Sequence, residues 1–449
     1  MVPDPLTGEH RPEEEAVERL LLELGGALLS CGDAVADIQD HLRRIAHLYG
    51  YPQANVSVLP TLVLVSVEPA GQPRIAHPPD QPDPRLDQSA AVFQIVRDLE
   101  EAPMPPLEAL ARLQDVWAAQ PRFGIPGTIA GHVILTAGLA LILEPSWEVL
   151  GLAAFFGAVV GAMKIAGQES GIRVGFVLPV LAAALISALA FLLVGRHSVN
   201  DPVSALTPPL ITFLPGGLLT MAMYDLAAGE VITGASRFVS GFLQLLMLGL
   251  GIVIGAELAG IPDAKAITDA SVDSIGAWAP WAGVFVLGLG AYLFFSAPRG
   301  SLVWLLIVLY AAWLGQLLGK EVLTADLSGF AGGLVVFPVA ILVERVRAAP
   351  PAFVTFLPAF WMLVPGSLSL IGITEIVGTN QAAGLADFNA AVVTIAAVAL
   401  GVLCGATLVQ WVRWKRGRDA LTGYHVPDPD PAWWVEGIRR GTRSVRRRP

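Results

Sequence analysis

The sequence predicts a polytopic α-helical membrane protein: ten transmembrane helices arranged as two inverted five-helix repeats, preceded by a soluble α+β domain. Three observations predict it. The 449 residues are 54% hydrophobic and 15% charged with a mean hydropathy of +0.62, too apolar for one soluble globule. Charge is segregated: residues 1–127 hold 19 Asp/Glu against 9 Lys/Arg, which is the whole net charge of −10, and the remainder balances. Finally, two apolar segments are interrupted at matching places. Pro215-Gly216-Gly217 sits inside PPLITFLPGGLLTMAMYDLAAGE and Pro365-Gly366 inside FWMLVPGSLSLIGITEIVG, each with a carboxylate, Asp225 or Glu375, at the tenth position after the proline. Proline removes a backbone donor and glycine lowers helix propensity, so both segments should break. Paired breaks of this kind point to a transporter's binding site.

Taken in order, residues 1–12 are Pro-rich and expected to fray. From Glu13, apolar residues at Leu20, Leu21, Leu24, Ala27 and Leu28 recur at helical spacing behind an acidic first turn. A break near Cys31-Gly32-Asp33 should start a second amphipathic helix ending at Leu48. The β-branched alternation from Val56 to Glu68 reads as one or two strands, followed by a turn and a short RIAH strand. Two further helices are expected over Asp87–Glu101 and Pro106–Ala119. The divisions are 1–127 for this domain, 128–258 and 278–412 for the membrane repeats, 259–277 for an extracytosolic linker, and 413–449 for a basic tail.

Cys31 and Cys404 lie far apart, so neither a disulfide framework nor a zinc site is expected, and no cofactor or metal is assigned. Cys31, Asp33, His41 and His47 are close in sequence, but a solvated helix face with a small buried cysteine is preferred over a metal or hydrolase-like site. No basic patch in a folded, aromatic-interleaved setting suggests nucleic acid. Residues 1–19 lack an apolar signal core, which keeps the N-terminus in the cytosol.

The ten spans fall near 128–143, 148–165, 173–194, 203–226, 235–258, 278–296, 301–318, 326–346, 353–372 and 388–412. Loop bases set the orientation: Lys164 with Arg173, Arg237, Arg299, and Arg345 with Arg347 count inside, against Arg196, Lys265 and Lys320 outside. The ten Lys/Arg from Arg413 onward place the tail inside as well, so both ends are cytosolic on a multi-pass plasma-membrane protein. Span four maps on span nine at an offset of 150 residues. Five is odd, so a second copy must enter the membrane from the opposite side.

Intramembrane ionisable groups are costly and are functional candidates. Asp225 and Glu375 lead for proton coupling, with Glu169 and Glu230 also considered. Arg237 reads as a cytosolic gate or as a partner of Glu230 or lipid. Pro215, Gly216, Gly217, Pro365 and Gly366 would open half-helix N-termini to a substrate carboxylate, and Thr220, Ser367 and Ser369 would offer hydroxyls. His132 and Gln244 read as helix-packing hydrogen bonds.

The order of motifs LLLELGGALLSCGDAVADIQDHLRRIAHLYGY, ANVSVLPTLVLVSV, FQIVRDLE, FLPGGLLTMAMYDLAAGEVITGASRF and LVPGSL resembles the threonine/serine exporter family of bacteria and some fungi, over nearly the whole chain. The apolar SLSLIGITEI after Pro365-Gly366 departs from that pattern. The resemblance implies ten spans, a cytosolic N-terminal domain, and proton-driven export of small hydroxylated amino acids. The partners are then the amino acid, protons and the bilayer, with room for a homo-oligomer. The absence of a Walker A motif favours gradient coupling, and the absence of GxSxG or HExxH sets argues against an enzyme. Export of another small metabolite, or a membrane receptor or regulator with a cytosolic sensing domain, is the competing reading.

Overall fold

The computed structural model describes residues 10–67, 72–78, 84–143, 145–169, 177–194, 202–260, 275–324, 327–346, 348–363 and 381–415. They are mostly helical. Helices α1 (His10–Cys31) and α2 (Val35–Leu48) lead into a three-stranded antiparallel sheet of β1 (Asn55–Leu59), β2 (Leu62–Ser66) and β3 (Arg74–Ala76). β1 and β2 form a tight hairpin that pairs Leu59 with Leu62. Helices α3 (Leu86–Glu101) and α4 (Pro106–Ala118) complete this portion. The first helix begins three residues before the expected Glu13, and the other elements fall within a residue or two of expectation.

The apolar periodicity of α1 has its reason in the core it enters. Leu20, Leu21, Leu24 and Leu28 are fully buried against Ile38, Leu42 and Ile45 of α2 and Val63 and Val65 of β2. Gly25 is required where these elements meet: a side chain there would meet Leu42 Cδ1 at 2.9 Å. The core is self-contained, drawing on α1 to α4 and the sheet.

Apolar helices follow: α5 (Gly124–Leu143), α6 (Trp147–Glu169), α7 (Val177–Val194), α8 (Pro202–Leu210), α9 (Gly216–Ala227), α10 (Val231–Leu258), α11 (Ala279–Phe294), α12 (Leu302–Val322), α13 (Ser328–Glu344), α14 (Ala352–Leu363) and α15 (Gln381–Lys415). Five of them are long and apolar enough to cross a membrane: α5, α6, α10, α12 and α15. The pair α8 and α9, bent by 50°, makes a sixth. The remaining four, α7, α11, α13 and α14, are apolar but shorter. Each of the ten expected stretches therefore carries helix, while six satisfy the length of a span. Leu181, Ile232, Leu258 and Val303 stand exposed on these helices, as side chains facing hydrocarbon would.

Small residues set how these helices pack. A methyl added at Gly251 of α10 would meet Val180 O of α7 at 2.6 Å, and one at Gly255 would meet Ala184 O at 2.5 Å. A methyl at Gly401 of α15 would collide with Phe330 O of α13, and one at Gly405 would meet Leu334 O at 2.8 Å. Every position in the second set lies 150 residues beyond its counterpart in the first. Backbones approach this closely only where side chains are missing.

The contact between α5 and α11 is reciprocal. Gly131 faces Leu293 Cβ at 2.8 Å, and Gly283 faces Leu141 Cβ at 2.9 Å. Gly138 abuts the Leu287 backbone, and Gly290 abuts that of Leu135. Exchanging the two helices at an offset of 152 maps each contact on the other. Rising numbers on α5 oppose falling numbers on α11, so the two run antiparallel. Helix neighbours repeat too: α5 with α6, α6 with α8, α7 with α8 and α7 with α10 match α11 with α12, α12 with α14, α13 with α14 and α13 with α15.

Candidate functional site

The break sits where the sequence places it. α8 carries Pro208 and Pro209 in its last turn, a 3-10 turn spans Ile211–Phe213, and Pro215 caps α9. Pro215 has no N–H to give to the preceding turn. The carbonyls left over are met by side chains: Lys164 Nζ donates to Thr212 O at 3.2 Å, and Gln244 Nε2 donates to Phe213 O at 2.7 Å. The first internal bond of α9 runs from Leu219 N–H to Pro215 O at 2.8 Å, so the N–H groups of Gly216, Gly217 and Leu218 precede it.

Around the break lies a polar and aromatic box. Buried His132 of α5 has Nδ1 at 2.8 Å from Gly157 O, and a carbonyl can only accept, so Nδ1 carries the proton. In the neutral imidazole, Nε2 then accepts from the Thr212 hydroxyl at 3.1 Å. The packing role expected for His132 and Gln244 is what the geometry gives. Lys164 lies 4.6 Å from the Phe213 ring and 5.5 Å from the Phe294 ring, and Phe294 meets His132 edge-on at 4.9 Å. Phe295 meets Trp361 of α14 at a tilt, ring centres 4.6 Å apart, and Trp361 Nε1 would stand 3.2 Å from a methyl placed on Gly217. Residues 124–258 and 279–363 both contribute.

Lys164 is a correction. The loop count places it among the inside bases, but it belongs to α6 and is directed at the break. The signal was available: it lies inside the apolar run GAMKIAG, and its charge was assigned to the loop only because it falls near the end of that run. Phe213, Phe294 and Trp361 had no sequence signal, because aromatic residues in apolar helices look alike until they are packed.

Asp225 and Arg237 stand at the other end of α9. The helix closes in a Schellman motif: Glu230 N–H reaches Asp225 O at 2.8 Å, Gly229 N–H reaches Leu226 O at 3.2 Å, and Gly229 takes φ +90°. This turn returns α10 alongside α9 and sets Arg237 Nη1 2.6 Å from Asp225 Oδ2. Arg237 thus pairs with Asp225, which corrects the expected Glu230. Glu230 instead accepts from Gln39 Nε2 at 3.0 Å.

The N-terminal portion covers this pair. Val35 N–H donates to Asp225 Oδ1 at 3.3 Å, and Arg237 Nη2 donates to Asp33 O at 2.8 Å. The same portion reaches the later helices through Leu86 N–H to Phe295 O at 2.9 Å, Phe93 on Phe353 at 5.1 Å, and Arg97 to Glu344 at 3.0 Å. Behind the latch, burial raises the Asp33 carboxyl above its ordinary range, partly offset by His41 and Arg237. Burial also pushes Asp37 up to about 7, reinforced by Asp33. Burial opposes protonation of His41, but its hydrogen bond and charge contact with Glu100 at 2.7 Å leave it raised.

Of the remaining candidates, Thr220 is buried with no hydrogen-bond partner for its hydroxyl among the described residues. Pro365, Gly366, Ser367, Ser369 and Glu375 lie outside the described residues, as does the side chain of Glu169. No group of His, Cys, Asp and Glu that could hold a metal occurs among the described residues.

A family model described as "Putative threonine/serine exporter" matches residues 19–259, more than half the chain. The chain belongs to the threonine/serine exporter family. It is similar to the threonine/serine exporter of Corynebacterium glutamicum, 23% identical over 432 residues that cover 88% of this chain and 83% of that protein. No solved structure matches. Family membership and the apolar helices together make this a multi-pass membrane protein of an amino-acid exporter family.

Proposed function

We propose that the protein is a secondary exporter of small hydroxylated amino acids, threonine or serine, working by alternating access between two inverted five-helix halves, 128–258 and 278–412. The observation that carries the reading is the broken span α8–α9, with polar groups turned onto the break where the two halves meet. The reciprocal α5–α11 contact and the helix pairs repeated 150 residues apart support the duplication. The antiparallel crossing of α5 and α11 supports the inversion.

In this reading the N-terminal domain, 1–127, and the tail, 413–449, are cytosolic, and 259–277 links the halves outside. Asp225 and Glu375 carry the coupling proton. For Asp225 the physical route is direct. Neutralising its carboxylate removes the charge that holds Arg237, which in turn donates to Asp33 O. Proton uptake would thereby loosen the cover over α9 and open that end of the path. Arg237 is the gate residue, and Thr220, Ser367 and Ser369 face the substrate hydroxyl.

The test is efflux of intracellular threonine, loaded as a dipeptide, from cells with and without the protein and with and without a protonophore. Faster efflux that the protonophore abolishes is expected. No change in threonine or serine efflux, with the protein present in the membrane, removes the substrate. Full proton-driven transport by both Asp225→Asn and Glu375→Gln removes the coupling assignment.

A further inference from the structure

We propose that the outer face of the N-terminal sheet binds a small anion, a carboxylate or a phosphate, and that its binding is felt at the start of α10. The inference goes beyond the exporter reading and does not rest on it.

Three observations carry it. The first is shape. Side chains alternate along a strand, so Val56, Val58, Val63 and Val65 enter the core while Asn55, Ser57, Leu64 and Ser66 point the other way. On that outer side, Arg43 of α2 and Pro73 complete a cavity of about 340 Å³, within the range of small-molecule sites.

The second is charge. Residues 1–127 hold the whole net charge of −10, yet the one charge among the described residues lining this cavity is that of Arg43. The Asn55 amide and the Ser57 hydroxyl stand beside it, over Leu64. A guanidinium with neutral donors around it suits a carboxylate or a phosphate. Asp40 approaches Arg43 Nη1 only to 3.7 Å and does not line the cavity. With the arginine side chain 51% exposed, that pair is weak.

The third is connection. Arg43 Nη2 donates to Val56 O at 3.1 Å and to Gln39 Oε1 at 3.0 Å, and Gln39 Nε2 donates to Glu230 Oε1 at 3.0 Å. Glu230 caps α10, and its N–H reaches Asp225 O. A chain of side chains thus joins the cavity to the turn that holds the Asp225–Arg237 pair. An anion that takes two N–H groups of a guanidinium must engage Nη2, because the fork with Nη1 and the fork with Nε both include it. Gln39 does not line the cavity, so the anion lies on the sheet side and draws the guanidinium away from Gln39. Glu230 then loses a fixed partner.

The test is hydrogen exchange on the full chain in nanodiscs, at constant ionic strength, read over residues 55–66 and 231–237. Threonine, succinate and inorganic phosphate are titrated separately, with chloride as the control. At least one of the three should slow exchange over 55–66 saturably and speed it over 231–237, and the one that does so names the source of the anion. Arg43→Met should weaken that ligand at least about tenfold, as for loss of a charge-assisted hydrogen bond. Ser57→Asp, at an exposed position, brings a negative charge into the cavity and carries the test if the Met variant does not fold. Gln39→Ala should bind as wild type does and leave 231–237 unmoved.

No protection over 55–66 by any of the three overturns the site, including protection confined to the membrane helices, as a transport site alone would give. So does protection over 55–66 that a folded Arg43→Met or Ser57→Asp variant keeps in full. Binding that leaves 231–237 unchanged, or a change there that Gln39→Ala keeps, overturns the link to α10.

Discussion

The two membrane halves use one packing plan and different chemistry. The α7–α10 pair and the α13–α15 pair meet through glycines 150 residues apart, and α5 and α11 meet through a contact that maps on itself. Yet His132, Lys164 and the Asp225–Arg237 pair stand in the first half, and the positions in the second half equivalent to the first two hold Val284 and Gln316. Positions needed by the backbone have been kept, and two polar positions at the break, His132 and Lys164, have diverged. The comparison separates what holds the bundle together from what the bundle does. Glycines read as architecture because a methyl at either member of a pair meets backbone.

The largest expected break in this comparison is Asp225→Asn. It leaves Arg237 buried without its counter-charge, and loss of one member of a buried pair costs about 3–5 kcal/mol. A lower unfolding temperature and faster proteolysis of the N-terminal portion should both appear, because Val35 and Asp33 bond to this pair. The double variant Asp225→Asn/Arg237→Gln should recover part of the loss. Next come the matched glycines. Gly138→Ala and Gly290→Ala each force a methyl against backbone across the α5–α11 contact, a cost of about 1–3 kcal/mol by analogy with overpacked cores. The reciprocal geometry predicts equal losses for the two; a clear difference in unfolding temperature would count against the symmetry.

The cover over the first half should respond to pH. Burial holds the Asp37 carboxyl up from its ordinary 3.8 to about 7, with Asp33, Asp40 and Asp225 adding to the shift and His41 opposing it. A folded-state pKa raised in this way contributes stability that is complete below the unfolded value and lost as pH rises through the folded one. The Asp37 contribution to attachment of the N-terminal portion should therefore fade between about pH 4 and pH 7, opposite in sign to the loosening by proton uptake at Asp225, and the difference in protease sensitivity between wild type and Asp37→Asn should trace it. On the side of the second half, Arg97 and Glu344 are both partly exposed, at 32% and 25% of side-chain area. Arg97→Ala should cost less than about 1 kcal/mol in an unfolding titration, the smallest effect of the set.

Much of this organisation was legible in the sequence because it rests on local rules. Pro215 breaks a helix wherever it stands, and Asp-Leu-x-x-Gly ends α9 because Gly229 accepts a positive φ. The alternation of Val56, Val58, Val63 and Val65 could only be a sheet face against a core. The site was less legible because it depends on which helices meet. Asp225 was visible as a costly charge, but its partner was misread as Glu230's, since only the return of α10 brings Arg237 to it. Lys164 was placed in a loop because an apolar window does not say which way its terminal lysine points. Composition marks α7, α11, α13 and α14 as spans, and over the described residues their helices are shorter than the six that satisfy the length of a crossing.

The account's central claim is that the break in α8–α9 is reached alternately from the two faces of the membrane. The direct measurement is labelling of Thr220→Cys, in a chain with Cys31 and Cys404 replaced, by a membrane-impermeant thiol reagent applied to either face of sealed vesicles. The account predicts reaction from both faces, slow because position 220 is buried in the arrangement described, and slowed further by threonine from both. Reaction from one face alone, or a rate indifferent to threonine in protein that still exports it, would contradict the claim.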